Sequence, residues 1–562
     1  MEKIREAALR WALVNATDHD GRANPKAVMG KLMAESPELR SKVKELSRTI
    51  EQVVAEVNKL SREEQLLRLR DFEPVEKPAP EERLGLPELP DIEKYPEVVT
   101  RFAPNPNGPL HIGHVRAALL SYEYADKYNG KFILRFEDTN PENAMLEMYD
   151  MIREDLRWLG ISWSEEYVQS DRLKLYYECA EQLLAAGDAY VCTCDVMSFR
   201  RLRDKGEACG CRDLQPSEQL RRWQAMLAGE YPEGAAVVRV KTDLKHPNPA
   251  VRDWPALRVV TAPHPRVGKR YRVWPLYNFS VSIDDHEMGV THVIRGKEHV
   301  VNELRQRLLY EHLGWPYPTA VQYGRLTIGG AVLSKTQTMR GIKSGEISGY
   351  DDPLLGTIAA LRRRGFLPET IKQVILDVGP TPVDSALSWE TMAAYNRRLI
   401  DARANRYFFV PDAVEMQAAG APRMANVRLR KHPGHPERGE RVLPLSYEGD
   451  ALTVYIPRAD VKLLHGGEVF RLKDFMNVQL VSLDPLKAKF HSREVMDVPK
   501  LQWVSAEAVE VEVIKPDGSR ECGLAEPAVS NLSVGETVQF ERYGFVRVDA
   551  VKPKFVAVYG HR

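Results

Sequence analysis

Apolar residues recur three or four positions apart through SPELRSKVKELSRTIEQVVAEVNKLSREEQLLRL, where Val43, Leu46, Ile50, Val53, Val57 and Leu60 share one side of a helix. This spacing predicts a helical N-terminal module over residues 1–73. Six prolines then fall between Pro74 and Pro96 among acidic residues, a composition that blocks both helix and sheet ladders and predicts an extended linker over 74–96. From Val98 short apolar runs alternate with amphipathic stretches: VVTRFA, HVRAALLSYEYADKY, KFILRFED and MLEMYDMIREDLRWLG. Strands alternating with helices predict an α/β domain with a parallel sheet, its first half over 97–189. Residues 190–270 break this rhythm and read as an inserted domain. The α/β pattern resumes over 271–330 (WPLYNFSVSIDD, GVTHVIRG), and a helical region follows over 331–405. Beyond it, alternation such as Ala508-Val509-Glu510-Val511-Glu512-Val513, with turn signals at Lys515-Pro516-Asp517-Gly518 and Tyr447-Glu448-Gly449-Asp450, predicts antiparallel β-barrels over 406–562.

Length and charge narrow the class. A chain of 562 residues exceeds what one core organises, so the protein is multidomain. Seventy-nine Lys and Arg balance 79 Asp and Glu, so any polyanion must be held by local patches rather than by the overall field. Candidate patches are Arg362-Arg363-Arg364, Arg397-Arg398 and Arg428-Leu429-Arg430-Lys431-His432, although each such run is more often simply a solvated face. A charged start, MEKIREAALRW, and the lack of a long apolar stretch predict a cytoplasmic protein without membrane contact. Four of six cysteines cluster as Cys192-x-Cys194 and Cys209-x-Cys211. Four thiolates on two short arms suit a structural tetrahedral zinc ion, with a redox pair as the competing reading.

The first chemical motif is Arg101-Phe-Ala-Pro-Asn105-Pro-Asn-Gly-Pro-Leu-His111-Ile-Gly113-His114, placed between the end of a strand and the start of a helix. Helix N-termini at such junctions bind anions. His111 and His114 can hydrogen-bond phosphate oxygens as charge develops on them, and Gly113 leaves room for a base against the backbone. This stretch resembles the HIGH signature of class I aminoacyl-tRNA synthetases, in their glutamyl and glutaminyl branch. Val332-Leu333-Ser334-Lys335-Thr336, behind Gly329-Gly330, resembles a shortened second signature, KMSKS, with Lys335 as the charge that follows the leaving pyrophosphate. The β-rich C-terminus is similar to the anticodon-reading barrels of archaeal-type glutamyl members.

The resemblance implies a Rossmann-like catalytic domain, an insertion carrying the zinc and contacting the acceptor end of tRNA, and barrels contacting the anticodon. It implies ligation in two steps: ATP with Mg2+ activates L-glutamate to its adenylate, and tRNA then takes the acyl group. His111, His114 and Lys335 would be catalytic, and these three with Gly113 would bind ATP. Arg101, Asn105, Glu137, Tyr277 and Arg295 would bind glutamate. Arg295 bears most on the choice of amino acid, because a cation facing the side-chain end pairs with a carboxylate and poorly with an amide. The other readings are a glutaminyl member of the same branch and, in a different class, a nucleotidyltransferase or a noncatalytic RNA-binding relative. A monomer is expected, and discrimination between glutamate and glutamine tRNAs is left open.

Overall fold

The computed structural model describes residues 2–18, 21–35, 43–69, 72, 85–329 and 335–562, in two compact units that divide after residue 84.

The first unit is helical, with helices Glu2–Asp18, Pro25–Glu35, Val43–Val57 and Arg62–Leu69. The periodic apolar face is the buried one: Leu46, Ile50, Val53 and Val57 pack with Ala8, Ala12, Leu13, Val28 and Leu32. Ser61 and Glu64 cap the last helix reciprocally, since the Glu64 N–H donates to the Ser61 hydroxyl (3.3 Å) and the Ser61 N–H to the Glu64 carboxylate (2.8 Å). Much of the proline-rich stretch, 73–84, lies outside the described residues. Its remainder is not a free linker, because Leu86, Leu89 and Ile92 pack on the core of the second unit.

In the second unit, strands Val99–Phe102, Lys131–Phe136 and Glu165–Val168 form a parallel sheet, and His292–Gly296 and Thr319–Tyr323 form a parallel pair. Thr291 joins the two edges: its N–H donates to the Val99 carbonyl (3.0 Å) and its hydroxyl accepts from the Val99 N–H (2.8 Å). The resulting order places Val99–Phe102 and His292–Gly296 side by side, with their partners on opposite flanks. Ligands of α/β sheets sit outside the carboxyl ends of such a pair.

The insertion is a four-stranded antiparallel sheet of Ala189–Cys192, Val237–Val240, Pro255–Val259 and Val273–Pro275. It is therefore slightly wider than 190–270, and WPLY closes this sheet rather than restarting the parallel one. Helices Lys335–Ser344, Ile358–Arg363, Pro368–Val378 and Trp389–Ile400 follow.

The C-terminal region holds two nested sheets. In one, Arg406–Tyr407 pairs with Thr537–Phe540 and the adjoining Phe409–Pro411 with Arg520–Ala525, so one continuous segment meets both edges and closes the sheet. In the other, Lys500–Leu501 and Val504–Ser505 perform the same closure against Val469–Leu472 and Ala451–Pro457. Both predicted hairpins are present, Val509–Ile514 with Arg520–Ala525 and Ser446–Glu448 with Ala451–Pro457. The barrels are not purely antiparallel. Four pairs are parallel, among them Val509–Ile514 with Phe555–His561 and Ala413–Ala419 with Leu486–Ser492. No helix among the described residues is long and apolar enough to cross a membrane.

Candidate active site

The carboxyl ends of the parallel strands open into a cleft of about 330 Å3, lined by Arg101, Asn105, Gly113, His114, Glu137, Tyr277 and Arg295 among others. Each residue arrives there because its strand or helix ends there. Arg101 is near the end of Val99–Phe102, Glu137 directly follows Lys131–Phe136, Arg295 is near the end of His292–Gly296, and Tyr277 opens the helix Tyr277–Glu287.

His111 is the N-cap of helix Ile112–Lys127, its Nδ1 accepting the Gly113 N–H at 3.1 Å. With Nδ1 accepting, the proton of the neutral ring sits on Nε2. The His114 ring stacks on His111 with centroids 3.7 Å apart. Burial lowers the pKa of both imidazoles, and a proton on His111 would further oppose one on His114, whose edge remains open to the cleft. Both are neutral at pH 7. The glycine between them serves the ring before any nucleotide, because a Cβ at Gly113 would stand 3.0 Å from His111 Cε1 and 3.1 Å from Nδ1.

Behind the cleft lies a buried ion network. Asp285 accepts from Arg101 Nε (3.1 Å) and from Arg135 (2.7 Å), and Arg135 also donates to Glu137 at 3.1 Å. Asp284 accepts from Arg172 (2.8 Å), Gln169 (2.8 Å) and Tyr176 (2.7 Å). Burial alone would lower the Arg135 pKa, but the carboxylates of Asp285, Asp284 and Glu137 outweigh it and hold the guanidinium charged. Burial also raises the Glu137 carboxyl to about 7 against the pull of Arg135 and Arg101, so it is readily protonated near neutral pH. The Tyr277 hydroxyl lies 3.3 Å from His299 Nδ1, and burial lifts its pKa to about 12.

Arg295 is 5% exposed. It donates to Gln306 Oε1 (2.8 Å) and to the Tyr317 hydroxyl (3.1 Å), with the Glu303 carboxylate at 3.5 Å. Gln306 is itself fixed, its amide donating to Asn278 at 3.2 Å. Arg295 Nε is buried without a partner among the described residues. Arg295 lines the cleft, and its neighbours leave part of its guanidinium unpaired.

The sequence reading did not single out Asp284, Asp285, Gln306 or Tyr317. Asp284-Asp285 gave no clear signal in the mixed sequence YNFSVSIDDHE, and only their burial shows that they require cationic partners. Val281 is fully buried on that helix. Lys335 begins helix Lys335–Ser344, but its side chain and residues 330–334, with the remainder of that signature, lie outside the described residues.

The four clustered cysteines come together in the inserted domain, their sulfurs all within 4.8 Å of one another. Cys192 and Cys209 Sγ are 4.0 Å apart, and Cys194 and Cys211 Sγ are 3.7 Å apart. A tetrahedral ion with metal–sulfur bonds near 2.3 Å requires edges of about 3.8 Å, so these residues fit zinc. Of the two remaining cysteines, Cys179 is buried and Cys522 is exposed. Among the described residues no further group of three His, Cys, Asp or Glu side chains converges as metal ligands.

The family model for the catalytic domain of class I tRNA synthetases (E and Q) matches residues 97–402, and two models for anticodon-binding domains of the same class match 404–495 and 500–549. Glutamate–tRNA ligases from Pyrococcus furiosus and Pyrococcus abyssi are each 52% identical, covering 100% of this chain and 100% of their own length. That of Methanothermobacter thermautotrophicus is 47% identical over the same full coverage. Among solved structures, a glutamate tRNA ligase from Elizabethkingia meningosepticum in complex with its amino acid matches 55% of this chain and 70% of that chain at 25% identity, with a TM-score of 0.41. The chain belongs to the glutamyl and glutaminyl family of class I tRNA synthetases.

Proposed function

We infer that the chain is a glutamate–tRNA ligase, which activates L-glutamate with ATP and transfers it to the 3′ end of tRNA. The observation that carries the choice of amino acid is the convergence of Arg295, Arg101 and Glu137 on one cleft with His114.

In this reading the substrate ammonium takes Glu137, Arg101 and Tyr277 border the reacting end with Asn105, and the side-chain carboxylate takes Arg295. A hydrogen bond to a charged group contributes about 1.5–3 kcal/mol, against about 0.5–1.5 for a neutral pair, so glutamine would gain much less at Arg295. The neutral His111 and His114 rings offer N–H donors to the α-phosphate at the helix N-terminus as pentacovalent charge develops. Their neutrality suits them to donate without holding pyrophosphate too tightly. ATP would bind at Gly113, His111 and His114, with Lys335 assigned to the leaving pyrophosphate from its signature alone. Without a carboxylate cage among the described residues, magnesium would arrive with the ATP phosphates. Cys192, Cys194, Cys209 and Cys211 would hold zinc, which would cross-link the inserted domain and leave no coordination position for substrate.

Aminoacylation of purified glutamate and glutamine tRNAs with each labelled amino acid tests the assignment. Glutamate transfer to glutamate tRNA is expected. Transfer of glutamine in preference to glutamate would overturn it.

A further inference from the structure

Arg116 stands on helix Ile112–Lys127, the helix that His111 caps, and is fully buried. A buried cation is ordinarily matched by an acid, because taking its charge out of water is costly. Among the described residues no carboxylate pairs with Arg116. Its guanidinium instead forks across three backbone carbonyls, Gly324 at 2.5 Å, Gly379 at 2.7 Å and Thr381 at 3.4 Å. It also lies over the Tyr323 ring, 4.7 Å from the centroid, and its Nε is buried without a partner among the described residues. A neutral apolar side chain would fill this place at lower cost, so the fork itself needs a reason.

The three carbonyls belong to two segments that meet beside the cleft. Tyr323 ends strand Thr319–Tyr323 and lines the cleft, and from Gly324 the chain enters strand Leu326–Ile328. Gly329-Gly330 and Lys335 follow that strand in the chain. Gly379 and Thr381 lie between helix Pro368–Val378 and strand Ser385–Leu387, the parallel partner of Leu326–Ile328. The two segments are in close contact: the Gly324 N–H donates to the Thr381 carbonyl at 2.8 Å, and a Cβ at Gly324 would overlap the Val383 carbonyl. On the solvent side the exposed Asp384 accepts the Arg325 N–H at 2.7 Å and pairs with Lys297 at 2.8 Å. Arg116 closes this junction from within, joining both segments to the helix of the first signature.

We propose that Arg116 is a positioning residue of the activation step, whose fork fixes Tyr323 and the root of strand Leu326–Ile328 to the first-signature helix and so sets the place from which the second signature meets the ATP phosphates. The proposal rests on the ligase reading and on the assignment of Lys335 to the leaving pyrophosphate. A planar guanidinium holds several carbonyls in fixed directions at once, whereas the point charge of a lysine serves them one at a time. The spacing matters because misplacing a reacting group by about 1 Å can cost about a hundredfold in rate.

The test is glutamate-dependent exchange of pyrophosphate into ATP, with glutamate tRNA present, on wild type, Arg116→Lys, Asp384→Ala, Lys335→Ala and the two double variants that contain Lys335→Ala. Arg116→Lys keeps the charge and loses the fork; its kcat should fall by about tenfold or more while the KM for glutamate stays within about twofold. Asp384→Ala loosens the same junction from its exposed side without touching the core, and should lose about threefold or more of kcat with the same unchanged KM. If each acts through the second signature, adding it to Lys335→Ala should cost less than about a further twofold. Should Arg116→Lys fail to fold, Asp384→Ala and its double variant decide the question alone. Losses that multiply with that of Lys335→Ala, a rise in glutamate KM in step with the fall in kcat, or full activity in the single variants would each overturn the proposal. So would a Lys335→Ala variant as active as wild type. A wild type that exchanges with glutamine in preference to glutamate would instead overturn the ligase reading, and the same comparison made with glutamine would still decide the role of Arg116.

Discussion

Replacing Arg295 by alanine tests the residue to which the choice of amino acid is assigned. The side chain is nearly buried, bonded on one side to Gln306 and Tyr317, and has an unpartnered Nε. Two charge-assisted bonds to a substrate carboxylate are worth roughly 3–6 kcal/mol together. At about 1.4 kcal/mol per factor of ten, even the lower bound corresponds to about a hundredfold. Removing the guanidinium also takes away a cation 3.5 Å from the Glu303 carboxylate, which Gln322 (2.6 Å) and Arg307 (2.8 Å) would keep ionised. The expected result is a rise of at least about a hundredfold in the KM for glutamate, while the KM for ATP moves by less than about threefold. Glutamine, which can use only neutral pairing there, should lose far less, so glutamate:glutamine selectivity should fall by about tenfold or more. Steady-state aminoacylation with both amino acids and varied ATP reads all three quantities. An unchanged KM for glutamate would refute the assignment, and equal losses for the two amino acids would show that the arginine supports the fold of the cleft rather than the choice of substrate.

Glu137 is protonated below about 7 and can receive an ammonium only when ionised, so glutamate KM should fall as pH rises from 6 to 8. Glu137→Gln should bind weakly with a flat profile over that range, and a wild type with no pH dependence would contradict the role. Gly113→Ala places a Cβ 3.0 Å from the His111 ring, so kcat should fall by about tenfold or more with little change in glutamate KM, while thermal melting holds or rises slightly because alanine favours the helix. Loss of melting temperature in step with kcat would point to a folding defect instead. Elemental analysis should find about one zinc per chain, lost in Cys209→Ser; less than about half an equivalent in gently purified wild type would count against the site.

The strand and helix rhythm, the N-terminal helical face, the cysteine cluster and the two hairpins were legible because each is a local pattern. Val43 to Val57 repeats with the helical period, and Pro516-Asp517-Gly518 occupies the turn between Val509–Ile514 and Arg520–Ala525. Barrel closure was not legible, since it depends on Arg406–Pro411 splitting between two edges whose partners lie more than a hundred residues away. The surroundings of the triple arginine were not legible for the same reason, since its acids, Glu154 and Asp549, arrive from distant elements. Within the cleft, residues at strand ends could be named one by one. The acids that hold them could not, because Asp284 and Asp285 show their role only through partners at positions 101, 135 and 172.

That network also explains why a site for a small, highly charged substrate is built from buried ions. Arg101, Arg135, Arg172 and Arg295 stand against Glu137, Asp284, Asp285 and Glu303, four charges of each sign. Desolvating them costs several kcal/mol each, and that cost is met during folding, where Asp284 and Asp285 each collect two or more donors. The cleft then needs no reorganisation when substrate arrives. Satisfaction is uneven, and the unevenness has a direction. Glu137 has one arginine contact and a pKa near 7, and Arg295 keeps a buried Nε without a partner. Glu137 and Arg295 both line the cleft beside Arg101, and each keeps hydrogen-bonding capacity that its neighbours leave unmet, as Arg135 Nε does behind them. An α-amino acid with an acidic side chain supplies the ammonium that one lacks and the carboxylate that the other lacks, whereas glutamine would leave Arg295 facing a neutral amide.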